Sequence, residues 1–101
     1  MKRYPCYPTL CIPKIDISTT DETFITNVFA KLNWGEIDSI NIVPNKIYNN
    51  TTIKSYKVFI KFKQWYSTPN ASLYRNRIIN KLPVNIVYNA PWFWKIKMSY
   101  Y

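Results

Sequence analysis

The sequence predicts an α+β domain in which two helices cover one face of an antiparallel sheet. Apolar and polar residues alternate at Glu36–Val43, Lys54–Lys63 and in the stretch after Pro83, as they do in strands buried on one side, and Thr9–Ile15 is a short apolar run. Two intervening stretches carry helix signals, over residues 20–33 and 67–82. The chain has 101 residues, 48% of them hydrophobic, which suits one globular domain. A basic arm, residues 1–8, is expected to precede a single domain, residues 9–101.

The arm, "MKRYPCYP", is punctuated by prolines and is expected to be extended and loosely held. "TLCIPKI" reads as a first strand that ends near Pro13, because proline cannot donate to a ladder. "TTDE", Thr19–Glu22, reads as a capping box in which Thr19 and Glu22 satisfy each other's backbone donors. Phe24, Ile25, Val28, Phe29 and Leu32 then recur on one helical face. Gly35, the only glycine, is the expected terminator.

"EIDSINIV" reads as the second strand, with Asn41 and Val43 opposite Ile40 and Ile42. A polar loop opened by Pro44 leads to the third strand, Lys54–Lys63. The second helix is capped by Ser67 or Thr68, with Pro69 in its first turn. Leu73, Ile78 and Leu82 are its expected apolar face. "VNIVYN" and "WFWKIKMSYY" flank the turn "NAP" and read as a hairpin. Bulk assigns Trp92, Trp94, Ile96 and Met98 to the core, and Phe93, Lys95 and Lys97 to the opposite face. Trp34 and Trp65, at element ends, are expected to pack over the helices. Tyr74, Arg75 and Arg77 are expected on a solvated helical face, with a partner site there as the alternative. The predicted order is ferredoxin-like βαββαβ, with an extra short strand before the last strand.

Fourteen basic and five acidic side chains give a formal net charge of +9. Such an excess favours a polyanionic partner. Asn, Ile, Lys and Tyr are abundant, a bias that an A/T-rich coding sequence gives without selection for binding, so the placement of charge matters more than its sum. Cys6 and Cys11 are the only cysteines and histidine is absent. Metal and cofactor sites are not expected from that inventory, and two free thiols are expected over a disulfide. No apolar run approaches the ~20 residues that span a bilayer. An intracellular, non-secreted chain without a membrane partner is expected.

From "LCIPKIDISTTDETFITNVFAKLNWGEIDSINIV" onward the sequence resembles the RNA recognition motif family, through its first strand, first helix, single glycine and second strand. In "SYKVFIKF", Phe59, Ile60 and Phe62 fit that family's octapeptide, while Ser55, Tyr56, Lys57 and Val58 do not. Cys11 stands where the hexapeptide usually has a base-stacking aromatic. The ending "PWFWKIKMS" resembles divergent members of this fold encoded by large double-stranded DNA viruses, which implies a host-cell cytoplasm or virion location.

The resemblance implies single-stranded nucleic acid, RNA first, bound on the open sheet face. Phe59 and Phe93 are the expected stacking platforms. Lys57, Lys61, Lys95 and Lys97 are the expected phosphate contacts, with Asn41 beside them and Lys63 and Lys14 at the periphery. Binding should be weak and salt-dependent. Two other readings stand beside this one. The lysines can be merely solvated, with Phe59 covered by Tyr4, Pro5, Tyr7 and Pro8 or by Tyr100 and Tyr101. The domain can instead be a protein–protein or homodimerisation module of a viral assembly. Catalysis is not expected. The carboxylates Asp16, Asp21, Glu22, Glu36 and Asp38 are scattered, and there is no histidine, phosphate loop or paired nucleophile. No small-molecule substrate is expected.

Overall fold

The computed structural model describes residues 5–16, 21–45 and 55–99. Its elements are β1 (Leu10–Asp16), α1 (Glu22–Leu32), β2 (Gly35–Pro44), β3 (Ser55–Trp65), α2 (Pro69–Ile79), β4 (Val84–Asn89) and β5 (Trp92–Met98). One antiparallel sheet runs in the order β2-β3-β1-β5-β4. This corrects the expected ferredoxin-like arrangement: the sheet has five strands, and β4 is not a short accessory but a six-residue edge strand. Val84 and Ile86 explain why. They alternate into the core opposite Ile96 and Trp94, so β4 pairs along most of β5.

The core lies between sheet and helices. Leu10, Ile12, Val58, Ile60, Phe62, Trp94 and Ile96 face Ile25, Phe29 and Ile78 across it. β1 passes through Pro13 instead of ending there. The register shifts between Ile12 and Ile15, and this irregularity accommodates a residue without an N–H. The cap of α1 is Asp21, whose side chain accepts from the Thr23 N–H at 3.0 Å. Thr19, the expected cap, lies outside the described residues.

The end of α1 also differs from expectation. Asn33 takes the left-handed conformation, φ 56°, and donates its N–H to the Phe29 carbonyl. Gly35 instead opens β2 opposite Trp65. A Cβ at Gly35 would stand 2.5 Å from the Gln64 carbonyl oxygen, so two backbones meet where only glycine fits.

Two aromatic clusters brace the ends of the sandwich. Trp34 stacks on Trp65, with ring centroids 6.0 Å apart, and Tyr74 stacks on Trp34 at 4.9 Å. Both tryptophans pack against the helices as expected, Trp34 on Phe29 and Tyr74, and Trp65 under Arg75, and both are core residues. At the other end Phe24 meets Tyr88 and Trp94 edge-on, and Tyr88 stacks on Trp94. This second cluster ties α1 to the β4–β5 hairpin.

The arm is fastened, not loose, over residues 5–8. The Pro5 carbonyl accepts from the Trp65 N–H at 2.8 Å, the Pro8 carbonyl from Trp65 Nε1 at 3.2 Å, and the Tyr7 carbonyl from Arg75 Nε at 2.8 Å. The α2 residues expected on a solvated face are therefore staples: Tyr74 packs, Arg75 lies over the Trp65 ring and holds the arm, and Arg77 donates to the Pro83 carbonyl. Thr68 caps α2 as expected, accepting from the Ala71 N–H. Leu73 and Leu82, expected in the core, are exposed, and Ala71 and Ile78 fill that role. Trp92 is likewise exposed, at 63%, and pairs with Asn89 at the hairpin tip.

Gly35→Ala should lower the unfolding free energy by about 1–3 kcal/mol through overpacking. Leu73→Ala, at an exposed position, should stay within about 0.5 kcal/mol of the parent. Urea denaturation followed by tryptophan fluorescence measures both. A neutral Gly35→Ala would refute the close backbone approach.

Candidate nucleic-acid interface

Side chains two apart on a strand share a face, so the strand register maps the face opposite the helices. Cys11 is paired with Phe59 on one side and Lys97 on the other, and Phe59 is paired with Asn41. Asn41, Phe59, Cys11 and Lys97 thus form one row across β2, β3, β1 and β5. The neighbouring row holds Ser39 opposite Lys61, and Thr9, whose carbonyl accepts from the Ser99 N–H at 2.7 Å. On the other side of the first row, Val43 is paired with Lys57.

Between the first two rows lies a shallow hollow lined by Thr9, Ser39, Asn41, Phe59, Lys61 and Ser99. An aromatic wall, an amide, three hydroxyls and an ammonium group converge there. That set suits a ring edge that both donates and accepts, with an anion beside it. Asn41, Lys61 and Lys97 are exposed, and Phe59 is half-buried. Cys11 is 3% exposed, so the small thiol forms the floor between Phe59 and Lys97. Burial pushes the Cys11 thiol above its ordinary value, and nearby Lys97 and Lys57 pull against that shift.

The sequence-predicted residues divide into those the fold brings together and those it does not. Phe59, Asn41, Lys61, Lys57 and Lys97 gather around the hollow and its row. Lys95 follows one step away on β5, opposite Asn85, and is exposed. Lys63 continues the β3 lysines beyond Lys61 and is exposed. Lys14 is exposed within the β1 irregularity, at the end of the strand away from the hollow. Phe93 is 45% exposed but pairs with Val87 near the hairpin tip. Four residues along β5 from Lys97 and two strands from β3, it stands about 16 Å from Phe59 by standard strand spacings. The two phenylalanines are therefore not adjacent platforms. Tyr4, Tyr100 and Tyr101, named as covers for Phe59, lie outside the described residues.

Comparison with known protein families, curated proteins and solved structures finds no match.

Sequence reasoning missed Thr9, Ser39 and Ser99. The signal was present, since each is one two-residue step from a residue assigned to the face: Cys11, Asn41 and Lys97. Among the described residues no cluster of three or more histidine, cysteine or carboxylate side chains could hold a metal ion, and no helix is long and apolar enough to cross a membrane. Both cysteines are free thiols, Cys6 half-buried and Cys11 buried.

At neutral pH a thiol reagent should modify Cys6 rapidly and Cys11 only after unfolding. The raised pKa also has a sign. Above the ordinary 9.0, the unfolded chain loses the Cys11 proton before the folded chain does. Stability linked to Cys11 is thus fully present below that pH and is lost as pH rises through the folded value. Cys11→Ala should flatten this alkaline loss in thermal unfolding. Equal rapid modification of both thiols would contradict the buried position of Cys11.

Proposed function

We propose that the chain is a small, non-enzymatic module that binds single-stranded nucleic acid on the open face of its sheet. The observation that supports it is the hollow between two cross-strand rows, where Phe59, Asn41 and Lys61 meet three hydroxyl-bearing side chains. One base stacks against Phe59 with its edge toward Asn41 and the hydroxyls. The strand then runs along the lysines, with Lys61 and Lys97 at its first phosphates and Lys57 and Lys95 beyond, while Lys63 adds charge on the opposite side of the hollow. Phe93 meets a base only at the far end of that track. Lys14 adds charge at the rim. The similarity to RNA recognition motifs favours RNA over DNA.

Stacking on one aromatic contributes about 1–3 kcal/mol, and about four neutralised phosphates give a salt slope near −3. Affinity for a labelled single-stranded 12-mer should then fall about 50-fold between 50 and 200 mM salt. Phe59→Ala should weaken binding about 5- to 150-fold, and Phe93→Ala far less. Lys61→Ala with Lys97→Ala should flatten the slope by about 1.4. Fluorescence anisotropy with RNA and DNA strands measures all three. A salt-insensitive affinity, or equal small effects of Phe59→Ala and Phe93→Ala, would overturn the assignment of the hollow.

A further inference from the structure

The two edges of the sheet are built differently. β2, at one edge, carries Glu36, Asp38 and Pro44 and two register irregularities. These are the features that discourage a further strand from adding to an edge. β4, at the other edge, has none of the charges and no proline within Val84–Asn89, and its single irregularity follows Val87. Among the described residues no strand pairs with its outer side.

A second observation sits beside that edge. Phe24, Val28, Leu32, Ile86, Val87 and Tyr88 line an apolar groove between α1 and β4. Val87 and Trp92, both 63% exposed, and Phe93 cluster on the same hairpin. A strand added to β4 would place alternate side chains over the groove and over Val87, the arrangement that strand addition exploits.

We propose that a second copy of this chain occupies the β4 edge, pairing β4 with β4 antiparallel about a two-fold axis. Charge selects this occupant. The chain carries +9, yet no charged side chain occurs from Leu82 to Trp94, its longest uncharged run. Face to face, two copies would bring the lysines of β3 and β5 together, and at the β2 edge they would bring Glu36 and Asp38 together; here like meets like without repulsion. An anionic partner gains more from the lysine face than from this edge. A two-fold axis perpendicular to the sheet and midway between the two β4 strands also sets helix layer beside helix layer, so the half-buried strip of Phe24 and Val28 is covered along with Val87. Lys31, exposed at the end of α1, is the one charge lining the groove, and its ammonium group reaches solvent past the apolar strip. The paired sheets form ten continuous strands, twice the five of one copy, and their lysine-bearing faces join. The inference does not rest on nucleic-acid binding.

Sedimentation equilibrium of the full chain, freed of nucleic acid, tests it. The expected mass is twice the 12.1 kDa of one chain, with association tightening as salt screens the shared positive charge. Val87→Lys should return the mass to that of one chain. Leu73→Lys, which adds the same charge at an exposed site on α2, should remain dimeric. If Val87→Lys does not fold, hydrogen exchange on the parent chain decides: β4 amides should gain protection with protein concentration, and β2 amides should not. A monomeric parent at millimolar concentration, equal effects of the two lysines, or concentration-independent exchange of β4 would overturn the proposal.

Discussion

The open face depends on a seam of two residues. Leu10 and Cys11 are the positions of β1 paired with both β3 and β5. To one side lies the β2–β3 hairpin layer, and to the other the β4–β5 hairpin. Two rungs would hold a hairpin poorly in isolation, so the join relies on what backs it. Leu10 is fully buried behind the seam, the Ser99–Thr9 bond extends it by one step, and Phe24 clamps Tyr88 and Trp94 from the helix side. Without this seam Lys97 would have no fixed relation to Phe59.

Cys11 explains how the seam shapes the surface above it. A larger side chain there would fill the gap between Phe59 and Lys97 and raise the floor. The thiol is small and tolerant of burial, and its raised pKa keeps it neutral beneath two ammonium groups. The small thiol at this position therefore leaves a depression beside Phe59. The register that carries Asn41 to Phe59 has its own anchor. It starts at Gly35 against Trp65, where the missing Cβ lets β2 and β3 meet closely under the Trp34–Trp65 stack.

Strand identity was legible in the sequence because alternation reports burial directly: Val58, Ile60 and Phe62 are buried, as their spacing requires. The extent of β4 was not, since alternation cannot say whether a strand pairs along its whole neighbour. Trp92 shows a related limit. Bulk favoured the core, but it stands exposed at the hairpin tip. Helix termini misled for a local reason. Asn33 tolerates the left-handed conformation, which left Gly35 available for a closer task. For the face, the lysines and Phe59 were readable one strand at a time. Their grouping was not, because the distance between Phe59 and Phe93 is set by strand order and register, which no single stretch of sequence contains.

Charge divides the surface into regions with opposite responses to salt. The lysines of β3 and β5 share one face on either side of β1, and like charges gathered on one face repel. That cost is lowered by any polyanion and by screening. The run from Leu82 to Trp94 bears no such cost, and its exposed Val87, Trp92 and Phe93 lose contact with water on burial. Lysines that served only to keep the chain dispersed would be expected at the unblunted edge, where strand addition is the hazard. They are concentrated instead on the face that carries the hollow. The same partition that leaves β4 bare of charge therefore argues that the lysine rows answer to something other than protection of the sheet.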